Sequence, residues 1–286
     1  MSPISVIMPA YNESKSISKV IDSVKRFMAR EKIEYELIVV DDHSTDNTAE
    51  LGRKEGVTVL SHPINRGYGA SLTTGFKKSK YDYMLIMDAD GSYSIDEVKK
   101  LLPYMNDFDM VVGARQGKYY HGSFVKRLSR MAFYLLLKYV TGESVPDANS
   151  GLRLFKKNAV MKFEDDFCNG FSFTTTITLI LLSNRYLVKF VPIEYNPRIG
   201  KSKVKYLRDT ARTFQILLHN ITYYNPLKAF LPFSVLSFMV FILFTLLYLV
   251  KAKSVFYGVS AVISFFFTML FLGLGLLAYD VVKRAK

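Results

Sequence analysis

The hydrophobic positions of residues 1–115 alternate between two spacings. Short β-branched and aromatic runs predict β-strands at Ile4–Met8, Tyr35–Val40, Val57–Leu60, Tyr83–Met87 and Asp109–Val112. Between the first two runs, apolar residues at helical spacing predict one buried helix face, made of Ile17, Val20, Ile21, Val24, Phe27 and Met28. This alternation predicts an α/β fold whose mainly parallel, Rossmann-like sheet is covered by helices on both faces. Ligands of such sheets bind where the strands end.

Two long uncharged stretches follow near the end of the chain. Residues 229–250 and 254–279 contain no charged side chain, and only Lys251, Ala252 and Lys253 separate them. A helix rises about 1.5 Å per residue and a hydrocarbon core is about 30 Å thick, so each stretch is long enough to span a membrane. The pattern predicts a transmembrane hairpin with both chain ends on one side.

The charge distribution changes where the apolar stretches begin. The chain carries a net charge of +13 over 286 residues, but residues 1–200 hold 27 Lys and Arg against 23 Asp and Glu, whereas residues 201–286 hold 11 against 2. A basic excess beside apolar spans is typical of contact with anionic lipids, not with nucleic acid. The positive-inside rule then predicts that the α/β domain and both termini are cytoplasmic, and the first residues lack a signal-peptide pattern.

These patterns divide the chain into three segments. They are an α/β domain over residues 1–202, an amphipathic juxtamembrane helix over 203–227 and the hairpin over 228–286. Basic and bulky apolar residues interleave in Phe124–Tyr139 and in Val204–Tyr224, which is typical of helices in the headgroup layer. Surface helices packed on the sheet would show the same interleaving, so both interpretations stay open.

Polar side chains capable of ligand binding follow the first two strands. Tyr11 and Glu13 follow the first strand, and Asp42 follows the second within the segment DDHSTD. An aromatic ring can pack on a base, and carboxylates can accept hydrogen bonds from a base or a ribose; a helix cap and a turn would use the same residues. Neither GxGxxG after the first strand nor GxxxxGK[ST] occurs, which excludes the usual dinucleotide-binding and P-loop classes.

The fourth strand ends in Asp88-Ala89-Asp90. Residues two apart in an extended chain point the same way, so both carboxylates can converge on one hard cation, which can in turn bridge a diphosphate.

Cys168 is the single cysteine of the chain and forms no internal disulfide, so it is interpreted as a small buried apolar residue.

Taken together, the motifs resemble those of family 2 glycosyltransferases with the GT-A fold. They are PAYNE, DDHSTDNT, NRGYGAS, DADGSY, GAR, DANSGLR, NGFSF and RIGKSK, in that order along the chain. With the hairpin, the sequence is similar to the polyprenyl-phosphate sugar synthases, which include dolichyl-phosphate mannose synthases and undecaprenyl-phosphate glucosyltransferases. The resemblance covers about residues 3–205. It implies inverting transfer of one hexose, mannose or glucose, from a nucleotide-sugar to a polyprenyl phosphate, dolichyl or undecaprenyl, at the membrane.

The resemblance also implies roles for individual residues. The nucleoside would be held by Pro9, Ala10, Tyr11, Glu13, Val40 and Asp42. The ribose, the diphosphate and a divalent metal, Mg²⁺ or Mn²⁺, would be held by Asp88, Ala89 and Asp90, with Asp90 as the principal metal ligand. Ser92 stands where the family often has Gln, and its hydroxyl or a water could replace that amide.

Four basic residues are candidates for binding phosphates. They are Arg115, Arg198, Lys201 and Lys203, and a solvated basic face is the alternative for all of them. A phosphate monoester is largely a dianion at neutral pH, so a polyprenyl phosphate needs placement and charge neutralisation, not a general base. Two other functions stay open: transfer to a hydroxyl with Asp165 or Asp166 as base, and a catalytically silent nucleotide-sugar-binding scaffold.

Overall fold

A computed structural model of the chain describes residues 2–117, 124–170, 172–197, 206–250 and 254–285. The strands are β1 (Ile4–Ala10), β2 (Tyr35–Asp41), β3 (Thr58–Ser61), β4 (Tyr83–Ile86), β5 (Met110–Gln116), β6 (Arg153–Lys156) and β7 (Val188–Glu194). The helices are α1 (Ile17–Arg30), α2 (Thr48–Lys54), α3 (Tyr68–Lys78), α4 (Val98–Leu101), α5 (Phe124–Thr141), α6 (Lys157–Met161), α7 (Phe173–Ser183), α8 (Tyr206–Tyr224), α9 (Pro226–Val250) and α10 (Val255–Ala285). The chain comprises two compact units, residues 1–213 and 214–286.

The seven strands of the first unit form one sheet in the order β3-β2-β1-β4-β6-β5-β7. β1 pairs in parallel with β2 and β4, β2 with β3, and β5 with β7. β6 runs antiparallel to both β4 and β5. The predicted mainly parallel sheet is therefore confirmed, with one reversed strand between its two parallel parts. β7 lies at the sheet edge and has Pro192 within it.

Helices cover both faces of the sheet, as the sequence predicts. On one face, Ile4, Val6 and Met8 of β1 pack with α1. The α1 residues buried there are Ile17, Val20, Ile21, Val24, Phe27 and Met28, the predicted set. On the other face, Ile7 packs with Phe76 of α3 and Phe173 of α7. Because a strand alternates its side chains between the two faces, β1 contributes to both cores.

The five predicted strands are present, with bounds that differ by a few residues. The largest difference is at β5, which continues to Gln116 and so includes Arg115. β6 and β7 extend the sheet beyond the strands that the hydrophobic pattern indicates in residues 1–115. Their apolar runs are short and their partners are far away in the sequence, so only the assembled sheet reveals them.

The second unit contains two helices that are long and apolar enough to cross a membrane. Their mean hydropathy is 2.5 for Pro226–Val250 and 2.3 for Val255–Arg284. The Ser234 hydroxyl of α9 donates to the Thr268 carbonyl of α10 at 3.1 Å, and both residues are buried. A hydroxyl that bonds a facing backbone satisfies its polar group inside an apolar pair of helices. The two helices therefore form a packed pair.

Candidate active site

The loops after β1 and β2 are tied to each other by hydrogen bonds. The Asn12 amide donates to the Ser44 hydroxyl at 2.9 Å, and the Thr45 amide donates to the Asn12 side-chain oxygen at 2.7 Å. The Glu13 amide donates to the Thr48 hydroxyl at 2.8 Å. Asn12 adopts a left-handed backbone with φ 52°, which is uncommon away from glycine. The loop that carries Tyr11 and Glu13 is thus held at the end of β2, beside Asp42.

Asp42 is buried, and backbone and side-chain donors surround its carboxylate. Oδ1 receives the amide of Arg66 and Nδ1 of His62, both at 2.8 Å, and Oδ2 receives the amide of Gly67 at 2.8 Å. The predicted nucleoside residues Pro9, Ala10 and Val40 lie in the buried ends of β1 and β2 beside it. Asp42 therefore fixes the NRGYG loop in addition to any contact with a ligand.

Asp41 has a buried oxygen that lacks a hydrogen-bond partner among the described residues. This residue ends β2 and is 4% exposed; its Oδ2 accepts the Ser44 amide at 3.3 Å, whereas Oδ1 has no such contact. Leaving a buried acceptor unsatisfied costs about 1–3 kcal/mol. A buried water or a donor group of a ligand would satisfy it, which marks the end of β2 as a polar binding position.

Asp88 is fixed by contacts from two other parts of the chain. The Tyr68 hydroxyl, at the start of α3, donates to Asp88 Oδ1 at 2.9 Å. A methyl group built on Gly151 would lie 2.3 Å from Asp88 Oδ2, so a larger residue there would require the carboxylate or the loop to shift. Burial raises the pKa of Tyr68 well above its usual value and the charge of Asp88 raises it further, so the hydroxyl remains a donor at neutral pH.

Asp90 and Ser92 form the turn that follows. The Ser92 amide donates to Asp90 Oδ1 at 2.9 Å, and the fully buried Ser92 hydroxyl has no hydrogen-bond partner among the described residues. No group of three or more His, Cys, Asp or Glu side chains suited to a metal occurs in the described part of the chain. The two carboxylates, of Asp88 and Asp90, suit a hard divalent cation that takes its remaining oxygens from phosphate or water.

Arg115 forms a bidentate ion pair with Asp147. Its Nε and one terminal nitrogen lie 2.7 and 2.9 Å from the two Asp147 oxygens, and its amide lies 3.1 Å from Oδ2. The guanidinium also lies over the Tyr195 ring, 5.3 Å from its centroid. Asp147 is buried and Arg115 is nearly so. The predicted phosphate-binding arginine thus has its position set by a carboxylate and an aromatic ring.

Arg153 is completely buried beneath this region. Its guanidinium donates to the carbonyl oxygens of Ala148 at 2.6 Å and Ser150 at 2.8 Å, and to the Thr178 hydroxyl of α7 at 2.7 Å. Burial lowers the pKa of Arg153 to about 10, a value that keeps the side chain charged at neutral pH. The buried cation holds the segment from Asp147 to Gly151, which in turn contacts Asp88.

Residues at the end of β7 contact the turn that follows Asp90. The Asn196 amide donates to the Ser92 carbonyl at 3.0 Å, and the Tyr195 ring packs edge-on against Tyr93 with centroids 5.3 Å apart. The Tyr93 hydroxyl receives the Gly151 amide at 2.7 Å. The predicted phosphate-binding residues Arg198, Lys201 and Lys203 follow directly in the sequence and lie outside the described residues.

Asp165 and Asp166, the alternative candidates for a catalytic base, do not lie at the Asp88 site. They belong to an exposed 3₁₀ turn whose first residue, Glu164, pairs with Lys77 at 3.3 Å. Lys77 is near the end of α3, whereas Tyr68, which contacts Asp88, begins that helix. A helix of 11 residues is about 16 Å long. The turn is therefore attached to the end of α3 opposite the Asp88 site.

Protein groups occupy the amide donors at the start of α3. The Asn169 carbonyl accepts the amides of Gly69 at 2.9 Å and Ala70 at 3.3 Å. A methyl group on Gly67 would lie 2.4 Å from that oxygen, and one on Gly69 would overlap the Cys168 carbonyl. The NRGYG and NGFSF motifs therefore contact each other, and α3 offers these amides to the protein and not to a phosphate.

Several residues at this site were not singled out from the sequence. They are Asp41, His62, Tyr68, Tyr93, Asp147, Arg153 and Tyr195. All of them except His62 and Tyr195 occur within a quoted motif but received no role there. Arg153 opens β6 with an apolar neighbour on each side, a pattern that by itself also fits a strand residue with an outward charge. A charged residue in that position is rarely buried unless it is paired.

Comparisons with known proteins identify similar sequences. The profile of the family described as "Glycosyl transferase family 2" matches residues 5–163. The "Low-salt glycan biosynthesis hexosyltransferase Agl6" of Haloferax volcanii is 32% identical over 223 residues, covering 76% of this chain and 53% of the relative. The "Dolichyl-phosphate beta-glucosyltransferase ALG5C" of Trichomonas vaginalis is 30% identical over 220 residues, covering 70% and 65%. The matches thus span about half to two thirds of these relatives' lengths.

A solved structure shares the fold. Glucosyl-3-phosphoglycerate synthase of Mycobacterium tuberculosis, in complex with Mn²⁺, UDP-glucose and glycerol 3-phosphate, aligns with a TM-score of 0.63 at 20% identity. The alignment covers 77% of this chain and 80% of that one.

Proposed function

Because this chain belongs to glycosyl transferase family 2, we propose that it is a membrane-bound inverting glycosyltransferase that uses a polyprenyl phosphate. It transfers a single hexose from a nucleotide-sugar to a dolichyl or undecaprenyl phosphate on the cytoplasmic face. Glucose and mannose are the favoured sugars, and glucose is tested first because the name of one relative specifies a dolichyl-phosphate β-glucosyltransferase.

One observation carries this proposal. The ends of β1, β2, β4, β5 and β7 bring the Tyr11 loop, the buried carboxylates of Asp41 and Asp42, the Asp88–Asp90 turn and Arg115 to one edge of the sheet. The hydrogen bonds described above connect these groups. Such an edge offers acceptors for a base and ribose on one side, and carboxylates for a metal–diphosphate on the other. A nucleotide-sugar needs both.

The carboxylates of Asp88 and Asp90 would hold a divalent metal, Mg²⁺ or Mn²⁺, with Asp90 as the principal ligand. When bound, such a cation neutralises the charge that develops on a departing nucleoside diphosphate. Tyr68 and Gly151 keep Asp88 in one orientation. The buried Ser92 hydroxyl lies two residues from Asp90 and would provide an oxygen for this shell, directly or through water.

Basic residues would place the phosphates. Arg115 presents a guanidinium oriented by Asp147 and Tyr195. Arg198 follows Asn196 by two residues in the sequence. Lys201 and Lys203 continue the same segment. The acceptor phosphate is already anionic at neutral pH, so these cations orient and neutralise it while its oxygen attacks the anomeric carbon.

The apolar helices supply a reason for a lipid acceptor. α9 and α10 are long enough to span a bilayer, and a polyprenyl tail stays in the same apolar phase. On α5, Met131, Leu135 and Tyr139 recur every four residues with apolar side chains exposed, whereas Leu137 is buried. A helix with this outward apolar stripe suits the headgroup layer. The proposed division is a catalytic domain over residues 1–202, a juxtamembrane helix over 203–227 and the hairpin over 228–286.

The test is transfer of labelled hexose into an organic-extractable lipid by the purified full chain. UDP-glucose, GDP-mannose and UDP-N-acetylglucosamine are each supplied with polyprenyl phosphate, with and without EDTA. We expect a metal-dependent, acid-labile glycolipid from one hexose donor. Product formed only with a free hydroxyl acceptor, or nucleotide-sugar binding without any turnover, would refute the proposal.

A further inference from the structure

A buried histidine connects the nucleoside end of the site to α3. His62 follows β3, and only 6% of its side chain and 6% of that of Asp42 are exposed. Its Nδ1 lies 2.8 Å from Asp42 Oδ1, and its Nε2 lies 2.9 Å from the Thr74 hydroxyl. Both ring nitrogens therefore have a partner, and neither partner is solvent.

Of the two neutral tautomers, only the one protonated on Nδ1 satisfies both contacts; in the imidazolium form Nδ1 likewise donates to Asp42. With the proton on Nδ1, the imidazole donates to the Asp42 carboxylate, and Nε2 accepts the Thr74 hydroxyl proton. Thr74 lies within α3, whose first residue, Tyr68, donates to Asp88. The ring thus lies between the carboxylate at the end of β2 and the helix that also orients Asp88.

The donors around Asp42 leave little freedom for its carboxylate. An ionised carboxylate has about four acceptor positions. His62 and the Arg66 amide occupy Oδ1, and the Gly67 amide occupies one position of Oδ2. Among the residues that the structure describes, this count leaves one acceptor position, on Oδ2. A carboxylate with three fixed donors presents its last acceptor in a fixed direction, which suits recognition of an N–H group on a base.

We propose that His62 is a positioning residue for nucleotide recognition, which orients the Asp42 carboxylate through Nδ1 and is itself oriented by Thr74. The inference rests on the proposed function, because it assigns Asp42 to the nucleoside of the donor. His62 acts through Asp42 and does not contact the reacting atoms. Its loss changes the affinity for the nucleotide more than the rate of transfer at saturating donor.

Two substitutions separate the two ring nitrogens. Asn places its amide nitrogen at the position of Nδ1, whereas Gln places its amide nitrogen near that of Nε2. His62→Asn keeps a donor for Asp42, and His62→Gln removes it. Thr74→Val removes the hydroxyl that holds Nε2. Thr73→Val is the matched control, because the Thr73 hydroxyl bonds the Gly69 carbonyl of its own helix and not His62.

Binding of UDP and of GDP to the full chain is measured by calorimetry in detergent with Mn²⁺, and thermal unfolding verifies each variant's fold. For the nucleotide that the wild type binds, we expect His62→Gln to raise Kd at least about tenfold, since a lost charged hydrogen bond has an effect of this size. We expect a rise of about threefold for Thr74→Val, and less than threefold for His62→Asn and Thr73→Val. The rate of sugar transfer at saturating donor should change by a smaller factor than Kd does.

Other results overturn the inference. Equal binding by His62→Gln and the wild type would show that Asp42 does not depend on Nδ1. An equal rise of Kd in His62→Gln and His62→Asn would show that the lost ring volume, and not the lost Nδ1 donor, weakens nucleotide binding. If His62→Gln does not fold, an unchanged Kd in Thr74→Val is the overturning result. A wild type that binds nucleotide without transferring sugar to polyprenyl phosphate refutes the proposed function alone, and one that binds neither nucleotide refutes both.

Discussion

The two parts of the sheet build their share of the site in different ways. In the parallel part, β3-β2-β1-β4, the site residues follow strand ends, and neighbouring loops hold them through backbone amides, as Asn12 and Asp42 show. In the mixed part, β6-β5-β7, guanidinium groups hold the site through side-chain contacts, as Arg115 and Asp147 or Arg153 and Thr178 show. The first part depends mainly on backbone amide donors, and the second depends on guanidinium donors.

The largest effect is expected at the turn where the two parts meet. Asp90→Ala removes the principal proposed metal ligand, and the loss of metal-assisted charge neutralisation should lower sugar transfer by about 10³-fold. Binding of Mn²⁺ in the presence of nucleotide, followed by electron paramagnetic resonance, should fall in parallel. Asp96→Asn, at an exposed residue that pairs with Arg30, is the control. Unchanged transfer in Asp90→Ala would contradict the metal assignment.

A smaller effect is expected where the mixed part contacts Asp88. Gly151→Ala places a methyl group 2.3 Å from Asp88 Oδ2, so the carboxylate or the loop must move. A displacement of about 1 Å at a reacting centre lowers the rate by about 10²-fold. Steady-state kcat/KM measures this loss. Gly273→Ala is the matched control, because nothing lies within 4 Å of the added group, and a similar loss there would indicate a general effect on folding.

Arg153→Lys tests whether the mixed part needs the guanidinium or only its charge. Lysine keeps the cation but cannot reach the Ala148 and Ser150 carbonyls and Thr178 together. We expect the free energy of unfolding to fall by about 2 kcal/mol and transfer to fall about tenfold. Thermal unfolding in detergent and transfer assays measure the two changes. Wild-type stability in this variant would mean that the loop is held without Arg153.

The smallest effect is expected away from both parts. Asp165→Asn combined with Asp166→Asn alters an exposed turn at the far end of α3 and should leave transfer to polyprenyl phosphate within about twofold, because exposed charges contribute little. The assay is the same lipid extraction, with donor affinity measured alongside. A collapse of turnover with the fold and donor affinity intact would restore the hydroxyl-acceptor mechanism.

Local sequence patterns explain what could be predicted. The strands of residues 1–115, the position of Asp88 and Asp90 after β4 and the two apolar helices follow from local periodicity and spacing, and the structure confirms them. The roles given to Asp42, Arg115 and the RIGKSK residues remain predictions, since geometry alone does not show a ligand.

The remainder depends on contacts between distant residues. Nothing near Tyr68 in the sequence indicates that its hydroxyl meets Asp88, and nothing near His62 indicates Thr74 as its partner. Arg153 has an apolar neighbour on each side, so its pattern resembles that of an ordinary strand with an outward charge. Only pairing of β6 between β4 and β5 turns that side chain inward.

Pro192 has a consequence for chains crowded together on one membrane. β7 bonds β5 along one side, and no further described strand covers its other side. An open strand edge is a template on which another chain can add a strand and begin an aggregate. Proline lacks the amide proton that such growth requires, and within sheets it is accepted at edges where its nitrogen faces outward. Pro192 therefore interrupts the ladder of backbone hydrogen bonds through which one sheet would pair with the sheet of another chain.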